Sequence, residues 1–188
     1  MTFSKLLEIV LEYLKSPAHI IGILGILATV IGFQFKKHSW VIGFRTANEL
    51  LFAFNYLLLG GYTGFALNIV SSCRNIIFAE YVKRNKSTVH WRIVFCIFFA
   101  VATLFTWGGY GSIFFLAGKI TTTYAYGSKN MTLLRILSII TGLLWIFYNL
   151  TIGAYEAIVS DAFTIATVVV AIARFDVAPL IKNKKESA

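Results

Sequence analysis

Long apolar stretches separated by short polar segments make up most of the chain. Seven of them are about as long as the ~20 residues that a helix needs to cross the hydrocarbon core of a bilayer. This pattern predicts an all-α polytopic membrane protein with seven transmembrane helices. The predicted spans cover residues 18–35, 40–60, 62–81, 90–109, 110–128, 133–153 and 155–174.

Residues 1–17 show a different pattern. Charged residues are interspersed with apolar residues at helical spacing, namely Leu6, Leu7, Val10, Leu11 and Leu14. This arrangement predicts an amphipathic segment that lies on the membrane surface. Pro17 separates it from the first span.

The composition points to lipid as the solvent of this chain. Of its 188 residues, 58% are hydrophobic and 13% are charged, with a mean hydropathy of +0.77. Soluble domains carry about 25% charged residues. The net charge of +9 is therefore assigned to membrane-flanking loops and not to a nucleic-acid partner, because no basic stripe is interleaved with exposed aromatic residues.

Basic residues occur after the first, third, fifth and seventh predicted spans. They are Lys36, Lys37 and His38, then Lys83, Arg84 and Lys86, then Lys129, and finally Arg174, Lys182, Lys184 and Lys185. Basic loops stay on the cytoplasmic side of a membrane. The sequence therefore predicts an N-terminus outside and a C-terminus in the cytoplasm.

A shift of 93 residues superimposes the chain on itself without a gap. Asn68 then meets Asp161, and Ser71 meets Thr164. In the most similar block, Leu50, Leu51, Phe54, Leu57, Gly60 and Tyr62 meet Leu143, Leu144, Phe147, Leu150, Gly153 and Tyr155. The alternative is two unrelated helical hairpins with similar turns.

A true repeat predicts two parallel three-helix units joined by a linker helix, a 3+1+3 arrangement. The first repeat covers residues 18–85, the linker helix 86–109 and the second repeat 110–175, and a basic cytoplasmic tail follows at 176–188. Parallel repeats of this kind occur in transporters, with the substrate site between the halves near the midplane.

The few polar residues inside the spans are candidates for that site, because each charged group in a span costs at least ~2.5 kcal/mol. Asn68, Ser71 and Asn75 share one helix face. Asp161 and Thr164 repeat this face in the second half. The alternative role is hydrogen bonding that fixes helix packing.

Three further residues complete the predicted substrate-binding set: Lys119, Asn149 and Trp145. Trp145 and Tyr148 flank the polar positions of the sixth span. They are suited to stacking on a ring-shaped solute, although packing between helices is the alternative.

Depth in the membrane suggests two charge pairs. Glu49 and Arg74 lie at similar distances from the predicted cytoplasmic side, which predicts a structural ion pair, with Arg45 as the rival partner of Glu49. Lys119 and Asp161 lie near each other toward the outside. They form a second candidate pair, unless Asp161 exchanges protons during transport.

No catalytic or metal-binding pattern emerges. Phosphate-cradling glycine loops and the G-x-S-x-G and H-E-x-x-H motifs are missing. Cys73 and Cys96 fall in apolar runs and are predicted to be small buried side chains. The sequence therefore predicts no enzyme, no cofactor and no metal.

The 3+1+3 plan, with Asn68 and Asp161 on the third and seventh spans, resembles the SWEET and PQ-loop transporter superfamily. The resemblance implies that these two residues line a substrate site. Residues 21–74 are similar to the YgjV-like bacterial inner-membrane proteins, through I-I-G-I-L-G at 20–25 and N-Y-L-L-L-G-G-Y-T-G at 55–64. One departure is that Pro17 and Pro179 both lie outside the spans, whereas the sugar transporters bend their helices at prolines.

The sequence therefore predicts a carrier in a bacterial cytoplasmic (inner) membrane. It would move a small polar metabolite by alternating access between the two helix triplets, with the lipid bilayer and the solute as partners and a homo-oligomer as a possible assembly. The alternative is a non-transporting membrane scaffold or accessory subunit, in which the polar residues only fix helix packing.

Overall fold

A computed structural model of the chain describes residues 16–58, 62–152 and 155–181. Its seven α-helices and one π-helical turn confirm the predicted all-α fold. Residues 1–15 of the predicted amphipathic segment and residues 182–188 of the predicted basic tail lie outside the described residues. The elements are α1 (Pro17–Phe33), α2 (His38–Leu58), α3 (Tyr62–Lys83), α4 (Val89–Phe105), α5 (Gly111–Tyr126), α6 (Met131–Ile152), α7 (Tyr155–Ile172) and the π-helical turn Ala173–Val177.

Successive helices run antiparallel, so the bundle has two distinct ends. Between α3 and α4, for example, Arg74 lies over the ring of Phe99, whereas Tyr81, later in α3, contacts Trp91, earlier in α4. We call the end with the connections 34–37, 84–88 and 127–130 the basic end. The opposite end, with the connection 106–110, is called the turn end.

Contacts between helices form two groups. Helices α1, α2 and α3 pack on one another in chain order, and so do α5, α6 and α7, while α4 packs on α5. Two further interfaces connect the groups: α1 packs against α7, and α3 packs against α5.

The distribution of polar and apolar side chains is the reverse of that in a soluble protein. Arg74, Asn75 and Thr123 are fully buried, whereas Leu104, at 70%, and Phe105, at 87%, are exposed. Large apolar surfaces of this kind mark contact with lipid or protein. Two helical segments, Met131–Thr151 and Ala157–Ile181, are long and apolar enough to span a bilayer, each with a mean hydropathy of 1.8.

The outward-facing apolar surface corrects one prediction about the cysteines. Cys73 is exposed and Cys96 is half-buried, so the prediction that both are buried is wrong. In a chain with apolar side chains on its outer surface, an apolar run does not distinguish the outside of the bundle from its interior.

Close helix contact at the basic end of α1 and α2 gives a first testable expectation. A Cβ atom on Gly32 would lie 2.6 Å from Cβ of Phe44, whereas a Cβ on Gly43 would have no neighbour within 4 Å. We expect Gly32→Ala to lower the melting temperature in detergent, since forced overpacking costs about 1–3 kcal/mol. Gly43→Ala is the control and should leave it unchanged or raise it, because alanine favours helix by about 1 kcal/mol.

Candidate functional site

A cavity of about 580 Å³ lies between the two helix groups and is lined by residues from all seven helices. Its lining reaches Gly64, Ser112 and Ala157, which lie within the first turn of α3, α5 and α7 at the turn end. At the other end it stops at Phe33 and Tyr126, the last residues of α1 and α5. The lining from α3 and α7 is confined to the first ten residues of each helix, so the cavity lies mainly toward the turn end.

Below the cavity, an apolar core closes the basic end. Most of its members lie in the halves of their helices that are nearest this end, and they include Val41, Ile42, Phe78, Phe95, Leu134, Val168 and Ala171. The bundle is therefore tightly packed at the basic end, and the cavity lies between this core and the turn end.

The lining repeats at the spacing found in the sequence. Each of the ten lining residues from α1, α2 and α3 has its counterpart, 93 positions later, in the lining as well. The ten are Thr29, Phe33, Arg45, Asn48, Glu49, Phe52, Tyr56, Gly64, Leu67 and Asn68, and their counterparts are Thr122, Tyr126, Ser138, Thr141, Gly142, Trp145, Asn149, Ala157, Ser160 and Asp161.

A group of polar side chains lies near the turn end of the cavity. Asn149 Nδ2 donates a hydrogen bond to Asp161 Oδ2 at 2.8 Å. Asn68 Nδ2 donates to the carbonyl oxygen of Gly64 within its own helix, also at 2.8 Å. Because amide and carboxylate oxygens at this level line the cavity, they are available to hydrogen-bond donors of a solute.

Lys119 occupies the middle of the cavity wall. Its Nζ donates a hydrogen bond to Ser71 Oγ at 3.1 Å and lies 5.4 to 5.8 Å from the ring centres of Phe99, Phe115 and Trp145. The second candidate pair is not formed, since no ion pair joins Lys119 to Asp161. Lys119 instead points to α3 and α4, and Asp161 is bonded to α6.

Glu49 and Arg74 lie next to each other, with Arg74 Nη2 3.9 Å from Glu49 Oε1. Arg74 is fully buried and also donates to Asn75 Oδ1 at 2.9 Å and to Thr123 Oγ1 at 3.1 Å. Arg45, the rival partner of Glu49, donates instead to Thr29 Oγ1 at 2.9 Å.

Polar contacts across the basic end link the two helix groups. His38 Nε2 lies 2.9 Å from the carbonyl oxygen of Tyr126. Arg135 Nη1 lies 2.9 Å from Asp176 Oδ2, and Arg135 Nη2 donates to the carbonyl oxygen of Phe35 at 3.2 Å. Arg135 therefore connects α6 to the π-helical turn and to the connection between α1 and α2.

Six of the eight residues predicted to bind substrate line the cavity: Asn68, Asp161, Thr164, Lys119, Asn149 and Trp145. Ser71 and Asn75 do not line it. They are fully buried behind its wall, where Ser71 accepts from Lys119 and Asn75 accepts from Arg74. The helix face that Asn68, Ser71 and Asn75 share is therefore longer than the cavity, and its later residues lie in the interface between α3 and α5.

Sequence reasoning missed several residues of this region. Tyr56 and Ser160 line the cavity. The 93-residue shift would have found Tyr56 as the counterpart of Asn149, whereas Ser160 is the counterpart of the apolar Leu67, which gave no signal. Arg135 and Asp176 were missed as a pair, and no signal pointed to them, because the counterpart of Arg135 is the apolar Ile42.

Comparison with known proteins identifies a family. A family model described as Imp-YgjV, bacterial inner membrane protein, matches residues 17–178. Neither the curated proteins nor the solved structures contain a match. The family match covers most of the chain, including all seven helices and every residue that lines the cavity. The chain therefore belongs to the YgjV family of bacterial inner membrane proteins.

Proposed function

We propose that this protein is a carrier that moves a small polar metabolite across the bacterial inner membrane by alternating access. The observation that carries this proposal is the central cavity, in which each of the first ten lining positions has a counterpart 93 positions later in the lining. A site built from equivalent residues of two repeats is the arrangement found in repeat transporters.

The proposed architecture is seven transmembrane helices in a 3+1+3 arrangement, with α4 as the linker. An internal two-fold axis would exchange α1 with α5 and α3 with α7. It would therefore exchange the interface of α1 and α7 with that of α3 and α5, and these are the two most extensive helix interfaces between the triplets. This agreement supports two equivalent triplets and a SWEET-like plan.

The proposed orientation follows from the charge of the loops. Lys36, Lys37, Arg84 and Lys129 all belong to the basic end, which the positive-inside rule assigns to the cytoplasm. The N-terminus would then lie outside. In this orientation the tightly packed end faces the cytoplasm and the cavity extends toward the outside, as expected of an outward-facing state.

The proposed transport cycle would rock one triplet against the other. Opening the cytoplasmic end requires separation of the contacts that bridge the triplets there, such as the one between His38 and Tyr126. Facilitated diffusion is the simplest mode for a chain without a nucleotide-binding motif. Trp145 and Tyr148 line the cavity and are positioned to pack on a bound solute.

Labelling of a cysteine in the cavity tests this proposal without knowledge of the solute. Ser138 lines the cavity seven residues from the basic end of α6. In a background with Cys73→Ala and Cys96→Ala, we expect Ser138→Cys to react with a membrane-impermeant anionic thiosulfonate in right-side-out vesicles. In inside-out vesicles it should also react, more slowly, because a carrier opens to both sides.

Ile140→Cys is the matched control. Ile140 lies two residues further along α6, does not line the cavity and is 43% exposed on the outer surface of the bundle. A charged reagent should leave it unlabelled from both sides. If Ser138→Cys reacts from the outside alone, or from neither side, the carrier proposal is wrong and a non-transporting scaffold or accessory subunit replaces it.

A further inference from the structure

Two cations that line the cavity lack a carboxylate partner within the described part of the chain. Lys119 is 5% exposed and donates one hydrogen bond, to the neutral hydroxyl of Ser71. Arg45 donates one to the hydroxyl of Thr29, and its Nε is buried without a hydrogen-bond partner. Neither forms an ion pair.

The two cations lie at a similar level in the bundle. Arg45 is seven residues after the first residue of α2, and Lys119 is seven residues before the last residue of α5. These two helix ends are level with each other, because His38 Nε2 lies 2.9 Å from the carbonyl oxygen of Tyr126. At a rise of 1.5 Å per residue, both cations lie about 10 Å from the basic end.

Aromatic rings lie between Lys119, Arg45 and the neighbouring Arg74. The ring of Phe99 lies between Lys119 and Arg74, at 5.4 and 5.6 Å, and the ring of Tyr126 lies near both Arg74 and Arg45, at 5.5 and 5.6 Å. Glu49 is the one carboxylate paired with this group of three cations in the described residues. Asp161, the other carboxylate that lines the cavity, is bonded to Asn149. The three cations therefore face two carboxylates among the described residues, an excess of one positive charge.

We propose that Lys119 and Arg45 form an anion-binding site and that the transported solute carries a carboxylate or phosphate group. Buried charges require a partner, and the charged oxygens of such a solute would supply it. The inference rests on the proposed carrier function and narrows its solute class from small polar metabolites to small organic anions.

Melting temperatures of the purified full chain in detergent test this proposal. Inorganic phosphate and succinate are each compared with chloride at equal ionic strength and pH. We expect both the wild type and Lys129→Met to melt several degrees higher in at least one of the two anions, because a ligand that binds the folded state stabilises it. Lys119→Met should lose most of this shift.

Lys129 is the matched control because it is an exposed lysine outside the cavity, bonded to Asn85. Without added anion, Lys119→Met should melt no lower than the wild type, since it removes an unpaired buried charge. An equal shift in Lys119→Met, no shift in the wild type, or a large loss of stability in ligand-free Lys119→Met would each contradict the anion site.

The labelling of Ser138→Cys needs no solute. Labelling from both sides without a response to either anion would support the carrier proposal and contradict the anion site. A response to an anion with labelling from one side alone would support the anion site and contradict the carrier proposal.

Discussion

Glu49→Gln is expected to lower the stability of the protein severely, by about 3–5 kcal/mol, as found when one partner of a buried ion pair is removed. Glu49 is 7% exposed and lies 3.9 Å from Arg74, which is fully buried. The substitution preserves size and removes the charge that balances Arg74. We expect a loss of most folded protein in fluorescence-detected size-exclusion chromatography and a much lower melting temperature.

A second substitution distinguishes charge balance from packing. If the cost of Glu49→Gln arises from an unpaired Arg74, then Glu49→Gln with Arg74→Met should recover part of the lost stability. The control is Glu80→Gln, which removes the carboxylate of an ion pair with Arg84 in which both side chains are largely exposed. An exposed pair contributes at most about 1 kcal/mol. A Glu49→Gln protein as stable as the wild type would show that Asn75, Thr123 and the aromatic rings suffice to hold Arg74.

The helices were predictable from the sequence because their signal is local. Apolar stretches of the right length, bounded by glycine or by lysine and arginine, placed all seven within a few residues of their observed ends. Their meeting at one cavity could also be anticipated, since Asn68 and Asp161 were matched by the 93-residue shift, and both line it. Helix length and the 93-residue repeat can both be recognised from the order of residues in a single sequence.

The partners of individual side chains were not predictable in the same way. Lys119 and Asp161 have similar depth, but depth does not specify the direction in which a side chain points around its helix axis. Lys119 bonds to Ser71 on α3, and Asp161 bonds to Asn149 on α6. Ser71 and Asn75 failed to reach the cavity for a related reason. The helix face that they share with Asn68 is longer than the cavity and ends in the interface with α5.

Charge in the cavity gives opposite expectations for neighbouring substitutions. Removal of Glu49 would leave the buried Arg74 without its carboxylate and increase the excess of positive charge, whereas removal of Lys119 would reduce that excess. A site formed to bind an anion is expected to be less stable when empty, because function and stability compete at such sites. The contrast between these two variants therefore separates a binding site from a network that only fixes helix packing.

Arg135→Met is expected to weaken the closed basic end and to increase access from the cytoplasm, given the proposed carrier function. Arg135 is 2% exposed, pairs with Asp176 at 2.9 Å and donates to the carbonyl oxygen of Phe35. It therefore joins the second triplet to the connection between α1 and α2. Because these contacts would be separated when the basic end opens, their loss should favour the inward-facing state.

The labelling rate of Ser138→Cys measures this change. In inside-out vesicles, Arg135→Met should raise the rate about tenfold or more, since each 1.4 kcal/mol of lost closure shifts the equilibrium about tenfold. Labelling from the outside should fall. Arg84→Met is the control, because Arg84 lies at the same end in an exposed pair with Glu80 that does not bridge the triplets. If Arg135→Met only lowers the melting temperature and leaves both labelling rates unchanged, Arg135 stabilises the fold without acting on the gate.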